Sequence, residues 1–119
     1  TAMEAVAANT VFTTHTPVPA GHDHFAEDMI AEYFGKFFQE LSLSREQFLG
    51  LGRTDGSHEF NMTALAVRGS RFHNGVSRIH GDVSSRILAG MWPEIAPEDN
   101  PIDYVTNGVH VPTFLAQEW

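Results

Sequence analysis

Apolar positions along the chain alternate between short β-branched runs and longer stripes at helical spacing. Residues 2–8 are Ala-rich and read as the end of a helix. Residues 10–14 (TVFTT) are β-branched and aromatic, which predicts a short buried strand stopped by Pro17 and Pro19. Phe25, Met29, Ile30, Tyr33, Phe34, Phe37, Phe38 and Leu41 recur at the three-and-four spacing of one helical face, with Asp23 as the expected N-cap. Ser44 and Gln47 fit a capping box for a short helix running to Leu51 and ending at Gly52. Residues 54–57 (TDGS) are turn chemistry. Asn61 can cap a helix over residues 62–70 that turns Leu65 and Ala66 inward. Asn74-Gly75 suits either a hairpin turn or a strand-to-helix junction. Ser77 then caps a helix bearing Ile79, Val83, Ile87 and Leu88 and ending at Gly90. A proline-punctuated acidic loop over 93–101 leads to a strand at Tyr104-Val105-Thr106, stopped by Asn107-Gly108, and Pro112 and Thr113 open a new helix. Short apolar strands separated by helices predict an α/β layer.

Composition narrows the function classes. In 119 residues, 42% hydrophobic and 18% charged, there is enough apolar surface for one small folded unit. A net charge of -8 disfavours nucleic acid and anionic membrane surfaces as partners. No apolar run approaches the roughly 20 residues of a membrane helix. With no cysteine, neither a disulfide framework nor a thiol nucleophile is available. Thirteen aromatics in so short a chain, on stripes longer than it can cover, read as a piece of a longer protein.

Candidate chemistry gathers at the strand exits. His15 follows the first strand directly, and loops at strand ends are where α/β folds bind ligands. A neutral imidazole donates from one nitrogen and accepts at the other, which suits a sugar hydroxyl. Asn107, with donor and acceptor on one amide, stands at the second exit, and Gly108 lets backbone come close. Each also reads as ordinary turn or structural chemistry. His22-Asp23-His24 is poorly spaced for zinc and reads as solvated histidines at a helix N-terminus; no metal is expected. Arg68, Arg71, Arg78 and Arg86 read as salt-linked surface. Neither a nucleophile elbow nor a phosphate loop nor a dinucleotide fingerprint occurs. By residues alone, the chain is an α/β unit with two polar strand exits, half of a site for a polar, uncharged ligand.

Taken together, VFTTHTPVPAGHDHF, NMTALAVRGSRFHNGVSRIHGDVSSRI and VTNGVHVPTFL, in that order and spacing, closely resemble the α-glucan phosphorylases, in the bacterial form of the first run. The resemblance implies a helix-rich fragment of a Rossmann-like domain of a GT-B glycosyltransferase. Residues 1–108 would be the C-terminal part of the N-terminal domain, and 109–119 the crossover into the second. It implies cytoplasmic phosphorolysis of terminal α-1,4-glucosyl units with retained configuration, giving glucose 1-phosphate. It also implies a pyridoxal phosphate Schiff base whose phosphate serves as proton relay. The histidine of the family's THT-like segment, here His15, and the asparagine of its TNG segment, here Asn107, would contact the 6-hydroxyl of the sugar. Asn61, Asn74, Arg78 and His80 read as packing and capping. The cofactor lysine and the phosphate-holding residues would lie outside this chain, whose single lysine is Lys36. Alone, the chain is therefore expected to be inactive, to hold no cofactor and to self-associate. A non-catalytic carbohydrate-binding module and a GT-B glucan synthase are the alternative readings.

Overall fold

The computed structural model describes residues 1–54 and 56–116. Two small sheets organise them. The larger is parallel, with β1 (Val11–Thr14), β4 (Phe72–Gly75) and β5 (Ile102–Tyr104) in the order β1-β4-β5. Its register sets Thr14 beside Gly75 and Gly75 beside Tyr104, so all three strands end at one level. The smaller sheet pairs β2 (His24–Ala26) antiparallel with β3 (Glu59–Asn61). Around them lie α1 (Ala2–Ala7), α2 (Glu27–Glu40), α3 (Arg45–Gly50), α4 (Met62–Arg68), α5 (Arg78–Ile87) and α6 (Val111–Phe114).

Helix starts follow local chemistry. Ser44 and Gln47 close a capping box on α3, with the Gln47 N–H donating to Ser44 Oγ at 3.1 Å. The Asn61 side chain accepts from the Thr63 and Ala64 N–H groups and caps α4. Ser77 caps α5 through the His80 N–H at 3.2 Å. Pro112 stands in the first turn of α6.

Four expectations need correction, and one open reading is decided. Asp23 does not cap α2: β2 intervenes, and the helix begins after Ala26. Of its two readings Asn74-Gly75 takes the strand-to-helix junction, because β4 runs parallel to both neighbours and leads into α5. β5 lies two residues earlier than Tyr104-Val105-Thr106, although parallel bonding continues past it through Val105 N–H to Gly75 O (2.9 Å) and Asn107 N–H to Val76 O (3.0 Å). α4 buries Thr63, Ala64 and Val67, while Leu65 and Ala66 are only half-buried. His22 is buried rather than solvated. The turn at 54–57 closes through Ser57 N–H to Thr54 O at 3.2 Å; its Asp55 lies outside the described residues, as do residues 117–119 of the expected crossover.

The core is small. Ile30, Leu49 and Phe60 are buried together, with Phe48 and Leu65 against them. α5 meets the sheet differently: its buried residues are His80, Gly81, Ser84 and Ser85, whereas Ile79 is 77% exposed. A Cβ on Gly81 would sit 3.2 Å from Asp103 O, so the helix backbone lies nearly against β5. Of the α2 stripe only Ile30 is buried, and Met29, Tyr33, Phe34, Phe37 and Leu41 are exposed. The accessible surface is 8463 Å², against about 6,400 Å² for a compact monomer of this mass. The radius of gyration, 17.2 Å, likewise exceeds the roughly 13.5 Å of a compact domain of this length. Together these figures describe a fold whose apolar faces lack a cover.

Candidate functional site at the carboxyl edge of the parallel sheet

All three parallel strands point their carboxyl ends the same way, and the loops leaving that edge carry the polar residues. Ligands of open α/β sheets bind at this edge because loops diverge there above fixed strand ends. His15 leaves β1 one residue past the buried Thr14 and is exposed. It lines a cleft of about 230 Å³ together with Thr13, Thr14, Thr16, His22 and Thr63. Four threonine hydroxyls and two imidazoles share this wall with Phe12 and Met62, and Asp23 is its one carboxylate. Such a surface exchanges hydrogen bonds with an uncharged polyol without a strong field.

The loop behind His15 is held from several sides. Val18 donates its N–H to Thr16 Oγ1 at 3.3 Å. Pro19–Gly21 make a 3-10 turn, and a Cβ on Gly21 would fall 2.6 Å from Thr16 Oγ1, so the loop folds back on its own start. His22 closes the loop: it is 7% exposed, and its Nδ1 lies 2.7 Å from Thr63 Oγ1 in the first turn of α4. Burial holds the His22 pKa below its ordinary value of 6.5; the neighbouring His24 and His80 lower it further, and Asp23 opposes them. Sequence reasoning missed this residue, since a histidine between Gly and Asp carries no apolar pattern.

Asn107 stands on the same edge, exposed, beyond β5. Its backbone N–H is tied to Val76 O, but its side chain is no part of the His15 cleft. One strand, β4, separates the two exits. The fold thus brings the two predicted residues to one edge and does not bring them into one pocket. Asn74 is used internally, accepting from Thr13 Oγ1 at 3.0 Å. His73 also has a structural role, with its ring nitrogens 3.0 Å from Val67 O and 3.2 Å from Pro101 O. Arg78 is exposed and His80 is buried.

His24, next to the buried His22, is exposed and lies 3.4 Å from Glu59 on β3. Among the described residues no group of three or more His, Asp or Glu side chains is arranged to hold a metal ion. Lys36, on the exposed surface of α2, does not line the strand-exit cleft.

No family model matches the chain. Individual proteins do. The chain is 40% identical to glycogen phosphorylase of Mycobacterium tuberculosis over its entire length, and spans 14% of that protein. It is 39% identical to maltodextrin phosphorylase of Thermococcus litoralis, with 98% of the chain and 14% of that protein aligned. Against glycogen phosphorylase of Aquifex aeolicus, identity is 36% over 98% of the chain and 17% of that protein. From end to end, the chain is thus a relative of one stretch of the glycogen and maltodextrin phosphorylases.

Proposed function

We propose that the chain forms part of an α-glucan phosphorylase, which cleaves terminal α-1,4-glucosyl units with inorganic phosphate and releases glucose 1-phosphate. The observation that carries this is the whole-length identity of 36–40% to three phosphorylases. In this reading the parallel sheet belongs to a Rossmann-like domain of a GT-B enzyme, residues 1–108 close its N-terminal domain, and the chain crosses over from residue 109. The carboxyl edge then faces the inter-domain cleft.

His15 and Asn107 hold the glucosyl unit from one side. His15 offers one nitrogen as donor and one as acceptor to a sugar hydroxyl, and Asn107 approaches from the β5 side. Their contribution is orientation: the proline loop and the strand ends fix both groups before the sugar arrives, so little order has to be imposed during reaction. Neither is placed to act as general acid. Pyridoxal phosphate, in the complete enzyme, supplies the phosphate group that relays the proton. The described residues do not fit that cofactor, because the only lysine, Lys36, lies outside the strand-exit cleft. Cofactor and phosphate are therefore held elsewhere in the complete protein.

Alone, the chain self-associates through α2. Two α2 helices paired antiparallel about Phe34 set the exposed apolar residues Tyr33, Phe34 and Phe37 of each copy against those of the other. Phosphorolysis of maltodextrin by a protein of the relatives' full length carrying this segment tests the enzymatic reading.

A further inference from the structure

The loop that carries His15 is buried only at its two ends. Thr14, where β1 stops, is 5% exposed, and His22, where the loop stops, is 7% exposed. Between them Thr16 is half-buried and the other residues of 15–21 are exposed. Among the described residues, the hydrogen bonds of this stretch stay inside the loop. Val18 N–H donates to Thr16 Oγ1 at 3.3 Å, Gly21 N–H to Val18 O at 2.9 Å and His22 N–H to Pro19 O at 3.1 Å. The place of His15 is therefore set by the strand end on one side and by whatever holds His22 on the other.

His22 is held by α4. Its Nδ1 lies 2.7 Å from Oγ1 of Thr63, which is itself 7% exposed. A threonine hydroxyl both donates and accepts, so this bond forms whichever tautomer the ring adopts. Beside it the Met62 N–H donates to Asp23 O at 3.0 Å, so side chain and backbone attach to the same helix turn. From His22 the constraint runs back to His15 through a short chain of contacts. A Cβ on Gly21 would stand 2.6 Å from Thr16 Oγ1 and 2.8 Å from its Cγ2, so the Gly21 backbone lies against the side chain next to His15. His15, Thr16, Gly21, His22 and Thr63 all line one cleft.

We propose that the His22–Thr63 hydrogen bond is the latch that fixes the His15 loop, which makes His22 and Thr63 positioning residues for the sugar site. The latch stands on this geometry alone, whereas its bearing on phosphorolysis rests on the proposed function. Both residues act through His15. A loop of exposed residues released at one end regains conformational freedom, and His15 then meets a hydroxyl in the right orientation for only part of the time.

The test uses the protein of the relatives' full length. His22→Asn places an amide where Nδ1 stands and His22→Gln places one where Nε2 stands, so only the asparagine keeps the bond to Thr63. Hydrogen exchange over residues 15–22, read by mass spectrometry, should quicken in His22→Gln and stay at the wild-type rate in His22→Asn. The kcat/KM for glucose 1-phosphate release should fall about tenfold in His22→Gln, return in His22→Asn, and fall no further when His22→Gln is added to His15→Ala. Unchanged exchange in His22→Gln overturns the latch, whether or not the enzyme is active. Faster exchange with unchanged kcat/KM, or a loss that simply adds to that of His15→Ala, overturns the positioning role. A wild type without phosphorolysis instead removes the proposed function, and exchange still decides the latch. Thr63→Val, which keeps the shape and removes the hydroxyl, should reproduce His22→Gln and decides the matter if that variant does not fold.

Discussion

Gly75 and His80 are packed so closely that a Cβ on the glycine would lie 2.5 Å from the imidazole Nδ1 and 2.7 Å from the Gly81 backbone nitrogen. The end of β4 and the first turn of α5 therefore touch without a side chain between them, and that contact sets the level of the strand exits. Gly75→Ala forces α5 off the sheet. Overpacking of this kind costs about 1–3 kcal/mol, and the backbone neighbour, which cannot rotate away, puts this site near the upper end. Gly35→Ala is the control: its Cβ meets nothing within 4 Å in mid-helix, so the exchange should stabilise by about 0.5–1 kcal/mol. Urea midpoints of the two variants should move in opposite directions.

Acid should weaken the fold in two stages. The His22 pKa is depressed by burial, with His24 and His80 adding to the effect and Asp23 opposing it. The unfolded chain therefore binds the His22 proton more readily than the folded one, and stability is full above about pH 6.5 and falls as pH drops through the folded value. Glu27 comes second. The hydrogen bonds from Arg53, with Nη2 at 2.7 Å from Oε2, hold its carboxyl below the ordinary 4.5, so its contribution is present above that pH and lost beneath it. Thermal midpoints from pH 8 to pH 3 should show both steps. His22→Asn should flatten the first and Glu27→Gln the second; equal midpoints at pH 8 and pH 5 would contradict the His22 part.

Much of this fold was legible in the sequence because its signals are local. The caps at Ser44, Asn61 and Ser77 are each read within three residues, and all three bond as expected. β2 and β3 were not legible: each has three residues without alternation, and they exist through pairing across more than 30 intervening residues. The apolar residues of α5 misdirect for a different reason. Close helix–sheet packing selects Gly81, Ser84 and Ser85 for the buried face and leaves Ile79 outside. At the candidate site, the strand exits singled out His15 and Asn107, while a sugar-binding role for them came only from the family resemblance. Their separation by one strand of the sheet and the burial of His22 are tertiary facts that no spacing in the chain encodes.

The exposed stripe of α2 should make the isolated chain associate. Sedimentation at rising concentration is expected to show a dimer, and Phe34→Glu, which sets like charges face to face at the two-fold axis, should return it to monomer. A wild-type monomer at high concentration would refute the α2 pairing.

The isolated chain should release no glucose 1-phosphate from maltodextrin and phosphate, and should form no stable aldimine with pyridoxal phosphate. Lys36 is its only lysine and does not line the strand-exit cleft. Turnover together with a stable adduct band would overturn this division of labour.

The central claim is that the carboxyl edge of this sheet orients a sugar for phosphorolysis, and His15 is its most exposed commitment. The direct measurement is kcat/KM for glucose 1-phosphate release from maltodextrin, with the protein of the relatives' full length, as wild type and as His15→Ala. A positioning residue lost from a preorganised site should cost about 100-fold, with urea stability unchanged because the side chain is exposed. An active wild type and an equally active His15→Ala enzyme would contradict the role of His15. A folded, cofactor-loaded wild type that yields no glucose 1-phosphate would contradict the function itself.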